Sequence, residues 1–210
     1  MSTKISYRPF FKKDTPYIAE IIKETWNYEM FCDSKTAKKL SYLFLYSCLA
    51  NHTYSEVVTV NHQPVGILLG NIKQKHHFHF HFYYRLKQIS LLLSLYMTRR
   101  GREVMKTFGS VNTIDKELLK QSPLTYDAEV AFFALSSKVR GQGLGKVLFQ
   151  NYITQMKSYH VKCFYLYTDT SCSYGFYEHL GMHRRNQINK DFNIKGQDAL
   201  MSFFLYDAYL

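Results

Sequence analysis

Between residues 140 and 146 the chain reads Arg140-Gly141-Gln142-Gly143-Leu144-Gly145-Lys146, and these residue types suit the holding of a phosphate or pyrophosphate. Glycines at alternate positions let main-chain N–H groups turn toward one point and leave room for an anion beside the backbone. The apolar run Ala128 to Leu135 ahead of the loop reads as a strand buried on both faces. Behind it, Leu148, Tyr152 and Met156 recur four apart in a helix from Leu144 to Ser158. The loop thus delivers an anion to a helix N-terminus, where the free amides and the positive end of the dipole point. Arg140 and Lys146 add side-chain charge at either end. This is not a Walker loop, which closes on Gly-Lys-Ser/Thr. Nor is it the dinucleotide Gly-x-Gly-x-x-Gly with an acid closing the next strand. A tight turn without a ligand stays open as the plainer reading.

A second candidate is His76-His77-Phe78-His79-Phe80-His81-Phe82. On a strand, His77, His79 and His81 would share one face and could reach a metal. No neighbouring Cys, Asp or Glu completes a ligand set, so a polar face opposite a phenylalanine stripe is expected and no metal is assigned. The four cysteines, Cys32, Cys48, Cys163 and Cys172, lie far apart without a Cys-x-x-Cys pair. That usage suits a reduced compartment.

The elements that must position the loop follow the apolar spacing. Lys4 to Arg8 reads as a strand. A helix from Asp14 to Tyr28 carries Tyr17, Ile18, Ile21, Ile22 and Thr25 on one face, with Asp14 as its cap and Pro16 in its first turn. A second helix runs Lys35 to Leu49. A hairpin follows, Glu56 to Val60 and Pro64 to Leu69 about Asn61-His62. Beyond the glycine helix come a strand at Cys163 to Thr168, a short helix at Tyr174 to Leu180 closed by Gly181, and strands at His183 to Asn189 and Leu200 to Tyr206. Alternating strands and helices predict an α/β domain over residues 1–210.

Residues 71–127 differ in character and read as a basic helical insertion. They hold ten Lys and Arg against four Asp and Glu, +6 of a net charge of +11. Arg85 to Lys106 predicts one or two amphipathic helices with a break at Gly101, and Ile114 to Leu119 another short helix. Its apolar positions suit packing on the core or on a second subunit as a homodimer. Arg99, Arg100 and Arg102 leave contact with an acidic membrane or nucleic acid as a rival use. The start Met1-Ser2-Thr3-Lys4 has no apolar leader, and the run Ile89 to Met97 is too short to span a bilayer. A cytoplasmic protein is expected.

Arg140, Gly143 and Gly145, taken with Phe176-Tyr177-Glu178-His179-Leu180-Gly181-Met182 one helix and one strand later, resemble the GNAT acetyltransferases. That family carries Arg/Gln-x-x-Gly-x-Gly/Ala after its fourth strand and Phe-Tyr-x-x-x-Gly-Phe downstream. The resemblance covers Glu129 to Met182 firmly and extends to the opening strand, helices and hairpin, but not to the insertion. It implies a mixed, largely antiparallel central sheet flanked by helices, with the insertion between the third and fourth strands, and acetyl-CoA as co-substrate. The pantetheine arm would pair with the strand backbone at Phe133, Ala134 and Leu135. The pyrophosphate would rest on amides from Gly141, Gln142, Gly143, Leu144, Gly145 and Lys146, beside Arg140. Thr170 stands where many members place an asparagine that touches the cofactor.

The implied chemistry is attack of a neutral primary amine, on a small molecule or a peptide, upon the thioester. Tyr177 matches the family tyrosine near the sulfur, and a phenol is a suitable acid for the departing thiolate. The run Glu129-Val130-Ala131-Phe132-Phe133-Ala134-Leu135 resembles the fourth strand of histone-type members, whose glutamate acts as general base through water. Burial would raise the Glu129 pKa toward neutrality. By position the insertion would wall the acceptor side, and the basic excess speaks against a polycationic acceptor. Two other readings stay open: a non-catalytic acyl-CoA-binding regulatory module, and a nucleic-acid or membrane binder working through the insertion.

Overall fold

A computed structural model describes residues 3–75, 82–194 and 197–210. His76 through His81 lie outside the described residues, and with them the strand and metal readings of that stretch. In chain order the elements are β1 (Ile5–Arg8), α1 (Thr15–Thr25), α2 (Ser34–Leu49), β2 (Tyr54–Val60), β3 (Gln63–Ile72), α3 (Phe82–Tyr96) and α4 (Arg99–Lys120). They continue with β4 (Ala128–Leu135), α5 (Leu144–Ser158), β5 (Cys163–Asp169), α6 (Gly175–His179), β6 (His183–Ile194) and β7 (Gln197–Tyr209). The strands form one sheet in the order β1-β2-β3-β4-β5-β7-β6. Every neighbouring pair is antiparallel except β4 with β5. The expected mixed, mostly antiparallel sheet flanked by helices is therefore the observed one.

Local chemistry explains most of the boundaries. Asp33 caps α2, accepting from the Thr36 amide at 3.0 Å. The β2–β3 turn puts Asn61 and His62 at φ 49° and 69°, the twist that lets a two-residue hairpin match its strands. Asp14 departs from expectation. It precedes α1 but makes no side-chain cap. Its buried carboxylate instead accepts from the Phe11 amide at 2.8 Å and from both terminal nitrogens of Arg8 at 2.6 and 2.9 Å. A guanidinium fork outcompetes neutral amides for a carboxylate.

The insertion also departs from expectation. The chain turns at Thr98, whose side chain accepts from the Gly101 amide at 3.0 Å, and α4 then runs unbroken through Ile114 and Leu119. Gly101 sits in the first turn of α4 rather than at a break. A Cβ there would meet the Leu95 carbonyl oxygen at 2.1 Å, so glycine lets α4 start hard against the end of α3.

Helices cover both sheet faces. On one, α1 and α2 pack Ile18, Ile22, Leu45 and Leu49 over Ile67, Leu69, Phe132 and Ala134, joined by Leu95 and Val104 of the insertion. Farther along the sheet, Ile114 and Leu118 of α4 cover Cys163, Phe203 and Leu205. On the other face, α5 sets Leu148, Phe149, Tyr152 and Met156 against Leu68, Ile72, Ala128, Val130, Phe164 and Leu166. Asp207 is fully buried in β7. It accepts from Arg185 at 2.6 and 3.0 Å and from the Tyr126 hydroxyl at 2.8 Å. Arg185 is the residue that the β6 bulge between Arg184 and Asn186 leaves over, so the bulge aims it.

Two outcomes test this framework. Arg185→Ala strands a fully buried carboxylate and is expected to cost about 3 kcal/mol, read as a lowered urea midpoint at unchanged slope. A loss under about 1 kcal/mol would mean that the tyrosine alone satisfies Asp207. In Gly70→Ala the new methyl would stand 2.1 Å from the Tyr152 ring, an overpacking worth about 2–3 kcal/mol. Thermal unfolding with no drop in midpoint would contradict that close approach.

Candidate active site

The parallel junction between β4 and β5 makes the site. Only Ala128 and Glu129 of β4 pair with β5, against Phe164 and Tyr165, whereas β4 stays paired to β3 as far as Leu135. Past Glu129 the two strands part, and the β5-facing edge of residues 130–135 lies open. Buried backbone donors and acceptors need partners, so an extended ligand laid into this V could complete the sheet as an added strand. Phe133, Ala134 and Leu135, expected to meet such a ligand, lie on the open edge.

At the C-terminal end of β4 the chain enters the glycine loop. Gly141 and Gly143 adopt φ 77° and 76°, the left-handed conformation that glycine takes without strain. Gly143 precedes α5 as its cap residue, and no side chain caps the helix. No hydrogen bond among the described residues uses the amides of Gly141, Gln142 or Gly143. A Cβ at Gly145 would meet Leu135 and Phe133 at 3.1 Å, so the third glycine lets the helix start close to the end of β4. Arg140 is exposed, with a long contact of 3.4 Å to the Leu135 carbonyl, and Lys146 is exposed at the first turn of α5. Loop amides, helix terminus and both cations therefore stand together at the mouth of the V. Thr170 stands at the foot of β5, but its hydroxyl already accepts from the Ser202 amide at 3.3 Å and its own amide donates to the Ser202 carbonyl at 3.0 Å.

A β-bulge decides where Glu129 points. Leu69 pairs with Phe132 and Gly70 with Val130, leaving Ala131 over. Ala128 and Val130 consequently pack toward α5, and Phe132 and Ala134 toward α1 and α2. The extra residue flips the alternation, so Glu129 faces the α1–α2 side. The Tyr152 hydroxyl, passing over Gly70, donates to the Glu129 carbonyl at 2.9 Å and pins the strand there. Burial pushes the Glu129 carboxyl above its usual range, opposed by a hydrogen bond from Tyr165 and by the Lys73 charge. A raised carboxyl pKa is what a base working near neutrality needs.

Tyr177 stands on α6, across the V from α1 and α2. Its ring lies 6.2 Å from Phe149 and 6.0 Å from Tyr206, centre to centre, while Phe176 stacks 5.5 Å from Phe133. This aromatic cluster ties β4, α5 and α6 together. The Tyr177 hydroxyl makes no hydrogen bond among the described residues. Burial, and secondarily the nearby Cys172, hold it protonated well above the ordinary phenol range.

Three polar groups that sequence reasoning did not single out share the Glu129 side. Asp115 of α4, next to the buried Ile114, is partly buried. Burial first, then the Asp169 and Glu129 charges, push its carboxyl up to about 7. Asp169 lies two and four residues beyond Tyr167 and Tyr165 on the same face of β5. Asn71 is the cross-strand partner of Glu129, and its buried side-chain oxygen has no hydrogen-bond partner among the described residues. Asp115 was hidden inside a segment read as basic, and nothing in local spacing marks which acid of such a helix is partly buried. The four cysteines are all free. Burial raises Cys172 to about 11 and Cys48 to about 12, which makes both poor nucleophiles.

Among known proteins, the sequence pattern of the acetyltransferase (GNAT) family matches residues 109–182. No curated protein matches the chain by significant sequence similarity. Solved structures do match in shape. SsHAT superposes with a TM-score of 0.65 at 16% identity over 98% of both chains. The ribosomal-protein-S18-alanine N-acetyltransferase of Escherichia coli gives 0.54 at 12% identity, over 98% of this chain and 94% of its own. A chain of the NatC complex, solved with Gag peptide and CoA, gives 0.51 at 13% identity over 99% of both. At such identities the likeness speaks for the fold. Residues 109–182 carry the GNAT sequence pattern, and the described chain carries the fold of that family.

Proposed function

We propose that this chain is an acetyl-CoA-dependent N-acetyltransferase that passes the acetyl group directly to a primary amine, with residues 1–210 forming one such domain and 71–127 its insertion. The observation that carries the reading is the open β4 edge running into an uncapped helix start with free glycine-loop amides. An extended amide-bearing arm ending in a diphosphate is the ligand that uses both halves at once. The GNAT match to residues 109–182 and the CoA held by the NatC complex support the same choice.

In this reading the backbone of Phe133, Ala134 and Leu135 pairs with the pantetheine amides. The amides from Gly141 to Lys146 hold the diphosphate, with Arg140 and Lys146 as counter-charges. Thr170 contributes less, its hydroxyl being bonded to β7. The acetyl thioester then lies near the apex of the V, between Glu129 and Tyr177. Glu129, through a water, takes the proton from the acceptor ammonium. The freed nitrogen lone pair attacks the thioester carbonyl carbon and the C–N bond forms. A β4 amide stabilises the oxyanion. The carbonyl re-forms as the C–S bond breaks and its electron pair leaves with sulfur; Tyr177 gives the thiolate a proton and recovers one from the acylated nitrogen, while Glu129 passes the first proton to solvent. Products are the N-acetylamine and CoA thiol. The insertion forms the far wall of the acceptor side, with α4 laid over β5 and β7 by Ile114 and Leu118.

Calorimetric titration with acetyl-CoA tests the first half. Saturable binding is expected for the wild type, weakened more than about tenfold in Gly143→Glu, which sets a negative charge against the diphosphate. Thermal unfolding of the variant guards against misfolding. No binding to the folded wild type would end the acetyltransferase reading. The chemistry is tested by kinetics with a reactive amine. Tyr177→Phe is expected to lower kcat roughly a hundredfold with acetyl-CoA affinity retained. Because a base must be unprotonated, wild-type kcat/KM should fall as pH drops through a Glu129 pKa above the ordinary carboxylate range. In Glu129→Gln that acidic limb should vanish along with most of the rate. An unchanged limb would assign the proton to another group.

A further inference from the structure

The insertion helix α3 is apolar on two sides and covered on one. Tyr84, Leu91, Leu92 and the buried Leu95 pack into the core built on α1 and α2, with the Tyr84 ring 6.0 Å from that of Tyr46, centre to centre. On the side away from that core, Leu86, Ile89, Leu93 and Tyr96 follow one another at steps of three and four residues. Met97 extends the row, its amide donating to the Leu93 carbonyl at 3.1 Å. At about 100° per residue these five side chains share an arc of about 100°. Their exposure runs from 50% at Leu86 to 84% at Met97. Apolar residues exposed singly are ordinary. A continuous stripe of them, on a helix about 22 Å long, marks a contact surface.

The charges beside the stripe indicate what it meets. α3 contains no Asp or Glu. Arg85 and Lys87, both exposed, stand on either side of the apolar arc. Lys12 joins them, its ammonium 4.0 Å from the Tyr83 ring centre, with the Lys87 ammonium 5.8 Å from the same ring. At the far end Arg102 donates to the Tyr96 carbonyl at 2.9 Å. Among the described residues none of these four cations has a salt-bridge partner, whereas Arg99 meets Glu103 and Arg100 meets Asp33. A second copy seated here in a two-fold contact would set the same cations against one another. Nucleic acid would answer the cations and leave the aliphatic row unused. An anionic bilayer answers both. Its headgroups take the cations, whose long stems reach back from the apolar row, and the tyrosines suit the boundary between the two layers.

We propose that α3 is an interfacial anchor that seats the protein on an anionic lipid surface. It lies along the membrane plane, with Leu86, Ile89, Leu93, Tyr96 and Met97 at the boundary of headgroups and acyl chains. The anchor rests on the bilayer and does not cross it: among the described residues no helix is long and apolar enough to span a membrane. This goes beyond the acetyltransferase reading and does not depend on it. The insertion then has two duties. Through Ile114 and Leu118, α4 covers β5 and β7, while α3 keeps one side on the core and turns the other outward. The close approach at Gly101, where a Cβ would meet the Leu95 carbonyl oxygen at 2.1 Å, sets the two helices against each other.

The test is co-sedimentation of the full-length protein with phosphatidylcholine vesicles, with and without phosphatidylglycerol. Partitioning is expected to be at least about tenfold stronger onto the mixed, anionic vesicles, and to weaken as salt screens the cations. Leu93→Glu should lower it by at least about tenfold, since it sets a charge where an apolar side chain enters the interface. Position 93 is exposed, so the thermal midpoint should hold. Ile89→Glu is the second variant should the first fold poorly. Leu93→Trp gives a separate readout: its emission should shift to the blue on anionic vesicles. The chain's one native tryptophan, Trp26, lies packed against Phe44 and Phe132, so the shift reports on position 93. No binding to anionic vesicles, or equal binding to phosphatidylcholine alone, would overturn the proposal. So would binding untouched by both glutamate variants with no blue shift, which would reduce the contact to surface charge. A dimer in sedimentation velocity that Leu93→Glu dissolves, without vesicle binding, would give the face to a second copy instead.

Discussion

The parting of β4 from β5 is the constraint on which the rest of the molecule depends. Two parallel strands that separate after a single stretch of pairing leave a backbone edge open in the middle of a sheet, where a folded protein ordinarily tolerates none. Such a gap persists only if both strands are held from outside. β4 is held by β3 through to Leu135 and by the Tyr152 bond to the Glu129 carbonyl. β5 is held by β7 along its whole length. The Arg185–Asp207–Tyr126 network anchors that second half to the loop ahead of β4, on the side away from the opening. Stability is thus spent beside the cleft so that the cleft can stay open.

Two small irregularities turn this frame into a site with distinct sides. The bulge at Ala131 reverses the facing of β4, sending Glu129 toward α1, α2 and α4 while leaving Phe133 and Leu135 on the α5 side. Glu129 and the aromatic cluster around Tyr177 consequently lie on opposite sides of the V. A ligand threaded between them can meet both. Gly70, with no side chain, lets Tyr152 cross the sheet edge at the level of the bulge, so that the irregularity is clamped rather than loose. The insertion contributes through α4, a single helix whose inner turns cover β5 and β7 and whose outer turns carry the cations. The basic residues of the insertion helix therefore lie on its exposed side, while Asp115 is partly buried.

Much of this was legible in residue types and spacing. The glycine loop, the strand before it and the helix after it follow from alternation, glycine and four-residue periodicity, all short-range properties set by backbone sterics and amphipathic burial. The hairpin at Asn61-His62 is local in the same way, and so is α2, expected from Lys35 and observed from Ser34 behind the Asp33 cap. Asp14 was misjudged as a helix cap because its partner, Arg8, competes for the same carboxylate through the fold. Gly101 was misjudged as a break because a glycine in the first helical turn costs little when a neighbouring helix end needs the space.

What the sequence determined by itself was the order of elements, the strand–glycine loop–helix arrangement about residues 140–146 and the resemblance that joins them to Tyr177. These depend on neighbours within a few positions, and a linear pattern records such neighbours faithfully. What only the tertiary structure decided was direction: that Glu129 faces the α1–α2 side, that Asp115 is partly buried on a basic helix, and that the buried oxygen of Asn71 has no donor among the described residues. Each of those hangs on a one-residue register shift or on a crossing between distant elements. A bulge or a helix rotation exchanges the two faces of an element without changing a single residue type.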